Sequence, residues 1–83
     1  MPDLLTLAKR IMEGEGIEEM EFRSGKRERG VVRAGRLFCQ LAIGRMGYPG
    51  AEVARFLGVT TSSVNRLAIS EEVAHLKKYL KLF

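Results

Sequence analysis

The chain has 83 residues, 46% of them hydrophobic and 29% charged, with a net charge of +4 and a pI near 9.6. That length supports one modest core and excludes an enzyme with a deep cleft, while the composition excludes a disordered chain. No apolar run reaches the roughly 18 residues that span a bilayer, the charged start at Asp3, Lys9 and Arg10 lacks a signal-peptide core, and Cys39, the single cysteine, excludes an intrachain disulfide or a thiolate metal cluster.

In chain order, the first predicted element is a helix over 2–13. Pro2 and Asp3 suit its opening, where amides lack partners and negative charge meets the positive end of the dipole. Leu4, Leu7, Ala8 and Ile11 then recur at helical spacing. Gly14 and Gly16 are expected to stop it. Residues 17–22 carry apolar Ile17, Met20 and Phe22, which fit either one helical turn or an extended connection. The carboxylates of this region, Glu13, Glu15, Glu18, Glu19 and Glu21, read as a solvated face, since no His or spaced Asp accompanies them to make a metal site.

Charge then reverses. Arg23, Lys26, Arg27, Arg29, Arg33, Arg36 and Arg45 follow with only Glu28 among them, which makes this segment the candidate for facing a polyanion. Ser24 to Arg29 reads as a basic loop feeding a long helix over 27–46. In that helix Ala34, Phe38, Leu41 and Ala42 form an apolar stripe bordered by Val31 and Leu37. Arg29, Arg33, Arg36 and Gln40 step along the other side, so three guanidinium groups are expected on one face. Like charges at that spacing repel unless an acidic partner or a phosphate chain lies across them. Gly35 and Gly44 are expected to permit close helix packing, and Cys39 and Met46 to fill core. Gly47 suits the residue after the helix, and Pro49 the start of the next.

Two short helices over 50–57 and 61–69 come next, with Ala54 and Gly58 placed for a close crossing and a tight turn. Thr60 is the expected N-cap of the second helix. Val53, Leu57, Val59, Val64 and Leu67 fall at inward positions. The outward positions are Thr61, Ser62, Ser63, Asn65 and Arg66, short hydroxyls, an amide and a guanidinium that suit base edges. A face chosen only for solubility would carry Glu and Lys pairs. Phosphate contacts are assigned to Lys26, Arg27, Arg29, Arg33, Arg36 and Thr60. A last amphipathic helix over 71–82 opens at Ser70 with Glu71 and Glu72. It turns Val73, Leu76, Leu80 and Phe83 inward and leaves Lys77, Lys78 and Lys81 as a solubilising face. His75 is read as a surface residue.

The linker GIEEMEFRSGKRER, the helix opening RGVVRAGRLFCQLA and the following AEVARFLGVTTSSV together resemble the Trp-repressor-like helix-turn-helix domains. Within that group the chain is similar to the C-terminal DNA-binding domain of the bacterial replication initiator DnaA and to the small domain of transposases associated with repetitive extragenic palindromes. The resemblance implies an all-α bundle whose helix-turn-helix enters the major groove while the basic loop reaches phosphates or the neighbouring minor groove. Lys26, Arg27 and Arg29 match the loop, and Thr60, Thr61 and Ser62 lie near the start of the recognition helix. Where the initiator carries Arg-Asp-His-Thr-Thr this chain has Gly58, Val59, Thr60, Thr61 and Ser62, so transposase-type or regulatory relatives are the better comparison. A phosphate-binding GxxxxGK[ST] loop is absent from the sequence.

The expectation is an all-α, small helical bundle of five to six helices forming a single domain over 1–83, cytoplasmic and nucleoid-associated. It acts as a double-stranded DNA-binding module without catalysis, cofactor, metal or membrane partner. Its further partner is a catalytic domain in a longer chain or a second copy of itself. The alternative, an interaction or oligomerisation domain that keeps the fold without DNA binding, is permitted by the mild charge, the acidic segment and the apolar ending at Leu80, Leu82 and Phe83.

Overall fold

Six consecutive residues, Leu37 to Ala42, are buried, so one helix is enclosed around its whole circumference over that length. The computed structural model describes residues 3–23, 29–70 and 76–80. Among the described residues the regular structure is helical: α1 Leu4–Glu15, α2 Glu19–Phe22, α3 Arg29–Gly44, α4 Gly50–Leu57, α5 Thr61–Ala68 and α6 Leu76–Tyr79. The chain is thus an all-α small helical bundle, with α3 as its axle. The expected roles of Pro2, Lys26, Arg27, Glu71, Glu72, Val73, His75, Lys81, Leu82 and Phe83 fall outside the described residues.

The first helix begins two residues later than expected because Asp3 is its N-cap, its Oδ1 accepting from the Thr6 amide at 2.8 Å. That hydrogen bond holds the Asp3 carboxyl below its usual value. Gly14 continues the helix, and Gly16 ends it in the left-handed region, φ 68°. The Gly16 and Ile17 amides both turn back to the Met12 carbonyl. Leu4, Leu7, Ala8 and Ile11 form the buried stripe, as their spacing predicts. Of the two alternatives for 17–22, the chain takes the helical turn, opened by the Glu18 amide donating to the Glu21 carboxylate at 3.3 Å.

The third helix stops at Gly44 rather than at 46. Arg45 and Met46 both donate to the Leu41 carbonyl, and Tyr48 reaches Ala42 with Gly47 at φ 74° between them. Phe38 is fully buried at the centre, edge-on to Phe22 at 5.5 Å and stacked on Phe56 at 5.4 Å between centroids. Burial of a side chain such as Leu37, Phe38 or Leu41 contributes about 1.5–3 kcal/mol. Gly35 and Gly44 do not serve close packing, because a Cβ at either meets nothing within 4 Å. Gly14 does, since a Cβ there lands on the hydroxyl and ring of Tyr79.

Three residues, Gly58 to Thr60, join α4 to α5 in a helix-turn-helix. Gly58 sits at φ 75°, and its amide and that of Val59 close on the Ala54 carbonyl. Val53, Ala54, Leu57 and Val64 point inward as expected, and Leu67 is half-buried. Val59 is 40% exposed, because the left-handed turn carries its side chain off the inner face.

Candidate functional site

The local sequence fixes how α5 presents itself. Thr60 Oγ1 accepts from the Ser63 amide at 3.1 Å and donates to Ser63 Oγ at 2.9 Å, so the cap and the first-turn serine form one polar unit. Val64, fully buried, pins the helix to the core from the opposite side. That anchoring leaves Thr60, Thr61, Ser62, Asn65 and Arg66 exposed and Ser63 half-buried. Of the outward set expected from the sequence, Thr61, Ser62, Asn65 and Arg66 are together on the open face, whereas Ser63 is half-buried with its hydroxyl engaged by the Thr60 cap.

Asn65 has a further neighbour. A Cβ at Gly50 would stand 2.5 Å from Asn65 Oδ1 and 3.6 Å from Thr61 Cγ2, so the first residue of α4 is small where these two side chains lean across it. No side chain caps α4, whose N-cap is Pro49. The face of α5 and the start of α4 thus form one continuous polar surface.

The cations divide differently from expectation. Arg29 is exposed at the start of α3. Arg33, expected among open phosphate contacts, instead donates from Nε to Glu15 Oε1 at 3.0 Å. Arg36 is half-buried, with an Nε shut off from solvent and lacking any hydrogen-bond partner. Gln40, last in the row, is buried and donates to the Ser70 carbonyl at 3.3 Å and to Ser70 Oγ at 3.4 Å. The row is real as a helix face, but it is open only at Arg29: Arg33, its side chain 38% exposed, is tied to Glu15, Arg36 is half-buried and Gln40 is buried. The same residues correct the acidic segment: the Glu15 side chain is only 1% exposed and also accepts from Tyr79 Oη at 2.7 Å, with Lys78 Nζ at 3.5 Å. The repulsion expected along the row is relieved at Arg33 by an acidic partner from α1.

Ser70, expected to cap a helix, has its hydroxyl donated backward to the Leu67 carbonyl at 2.6 Å. Arg23, not singled out in the sequence as a contact, lies with its guanidinium 4.3 Å from the Phe56 ring centroid. It ties the residue that follows α2 to α4. Arg45 is exposed and borders, with Gln40, Gly44, Ala68, Ser70 and Leu76, a groove of about 220 Å³. Cys39 is fully buried and its thiol is pushed up to about 12 by burial, a state without thiolate reactivity near neutral pH. Among the described residues, no cluster of His, Cys, Asp or Glu is placed to hold a metal ion. Nor is any described helix long and apolar enough to cross a membrane.

Compared with protein-family models, with curated proteins and with solved structures, the chain matches none.

Proposed function

We propose that the chain is a double-stranded DNA-binding module in which α5 enters the major groove, a reading carried by the exposed Thr61, Ser62, Asn65 and Arg66 on a helix pinned from behind by Val64. Hydroxyl, amide and guanidinium groups offer both donors and acceptors to base edges, and Thr60 lies at the rim where the backbone of the duplex would pass. Arg29 and Arg66, with Lys26 and Arg27 of the basic loop, supply the charge. Four such contacts give a slope of log affinity against log salt of about −3.6. Regulatory or transposase-associated duty fits a module of this kind, which supplies position and leaves chemistry to another domain.

Fluorescence anisotropy on a random duplex across a salt series tests this reading. A slope near that value supports it, and salt-independent or absent binding at low ionic strength contradicts it. A second reading, association with another protein chain, is favoured by Ile69, 86% exposed at the end of α5. Light scattering that shows a stable oligomer broken by Ile69→Lys, with no duplex binding, would favour that second reading instead.

A further inference from the structure

Two described pieces of chain after α5, Ser70 and α6, meet residues at the two ends of the guanidinium row of α3. At one end Ser70 is held by Gln40, and Leu76 shares a groove with Gln40 and Gly44. At the other end Tyr79 and Lys78 meet Glu15, whose second carboxylate oxygen holds Arg33. The described C-terminal helix therefore runs from the Gln40 end of α3 toward the Arg33 end. Arg36 lies between these anchors, half-buried, with its unpartnered Nε enclosed. A guanidinium nitrogen enclosed without a partner is costly, so the arrangement holds Arg36 in a state that an anion would stabilise.

We propose that α6 is an autoinhibitory strap: docked through Tyr79, it keeps Arg33 and Arg36 from a polyanion, and its release adds both to the nucleic-acid-binding surface. The functional half of this inference rests on the duplex-binding reading above. The anchor is built for closeness, because Tyr79 occupies the space a side chain at Gly14 would need. Release breaks the Tyr79 and Lys78 contacts to Glu15 and opens that carboxylate to water, where its hold on Arg33 is screened.

Gly14→Ala is the direct probe. Its methyl group displaces Tyr79, while alanine is the better helix former in the last turn of α1, so undocking cannot be blamed on a weakened α1. Gly35→Ala, in open space, is the matched control. Two readouts are taken: phenylglyoxal labelling of each arginine, mapped by peptide mass, and the salt slope of anisotropy on a random duplex. In the wild type, Arg33 and Arg36 label several-fold more slowly than Arg29. In Gly14→Ala they rise to the rate of Arg29, and the salt slope steepens by about 1.8, the value for two added phosphate contacts. Gly35→Ala changes neither.

Wild-type labelling of Arg33 and Arg36 at the rate of Arg29 overturns the strap, as does unchanged labelling in Gly14→Ala. Raised labelling with an unchanged slope in a protein that binds duplex overturns the inhibitory role. Absence of duplex binding in every variant fails the DNA reading, and labelling then decides the strap by itself. Should Gly14→Ala lose helical circular dichroism, Tyr79→Phe and Lys78→Ala are read by the same criteria.

Discussion

Tyr79 donates its hydroxyl to Glu15 at 2.7 Å across 64 positions of sequence, and this bond joins the two ends of the described fold. The acceptor is buried and shared with Arg33, so the hydroxyl also helps to satisfy a carboxylate that water does not reach. Hydrogen bonds to charged groups contribute about 1.5–3 kcal/mol. Tyr79→Phe is expected to destabilise by that amount, and at about 4–8 °C per kcal/mol the melting temperature falls by at least about 6 °C. Thermal unfolding followed by circular dichroism checks it. An unchanged midpoint would mean that the hydroxyl is satisfied equally well by solvent.

Alkaline pH should destabilise the fold through two buried acids. Burial raises Cys39 from 9.0 to about 12, and burial together with the Glu15 hydrogen bond raises Tyr79 above 10.0. In both cases the unfolded chain loses its proton first, so it binds fewer protons than the native state and stability falls with rising pH. The loss begins near pH 9 for Cys39 and near pH 10 for Tyr79, and continues until each folded value is reached. Each group adds a slope of up to about −1.4 kcal/mol per pH unit within its window. Urea unfolding from pH 8 to 11 measures this, and Cys39→Ala should flatten the curve from pH 9 upward. An identical slope in that variant contradicts the assignment.

The cap of α5 can be separated from its candidate contact. Thr60→Ala removes the acceptor for the Ser63 amide and should destabilise by about 1 kcal/mol. Thr60→Asp keeps an acceptor and adds negative charge, so stability should hold within a few tenths of a kcal/mol while duplex affinity drops. Denaturation midpoints and anisotropy on the same samples distinguish the two. Equal duplex affinity for wild type and Thr60→Asp would remove Thr60 from the interface.

Gly50→Ala should change specificity more than stability. The added methyl group meets the end of the flexible Asn65 side chain rather than backbone, so Asn65 can swing away at little cost. The expected result is a melting temperature close to wild type with altered base preference at the position Asn65 faces. Unaltered preference in Gly50→Ala and in Asn65→Ala alike would show that Asn65 reads no base.

What could be read from sequence follows the range of the interactions involved. The α4 limits, 50–57, are those expected, and α5 ends one residue early, because Gly58 and Thr60 act within their own turns. The enclosure of α3 was also written locally, in the run LFCQLAI, whose nearly continuous apolar character marks a helix covered on all sides; an amphipathic stripe does not describe it. The burial of Glu15 was not legible. Its partners lie 18 and 64 residues away, and nothing near Glu15 sets it apart from the exposed Glu13 and Glu18. Arg33 was misplaced for the same reason: helical spacing fixes the direction of a side chain, whereas what lies across from it is decided by tertiary packing.

Selection from a randomised duplex library tests the central claim most directly. The wild-type domain should enrich a short base-pair motif, and Arg66→Ala should keep low-salt binding while losing preference at one or more of its positions. Failure of the wild type to retain or enrich any duplex at low salt would contradict the assignment of α5 as a reading helix.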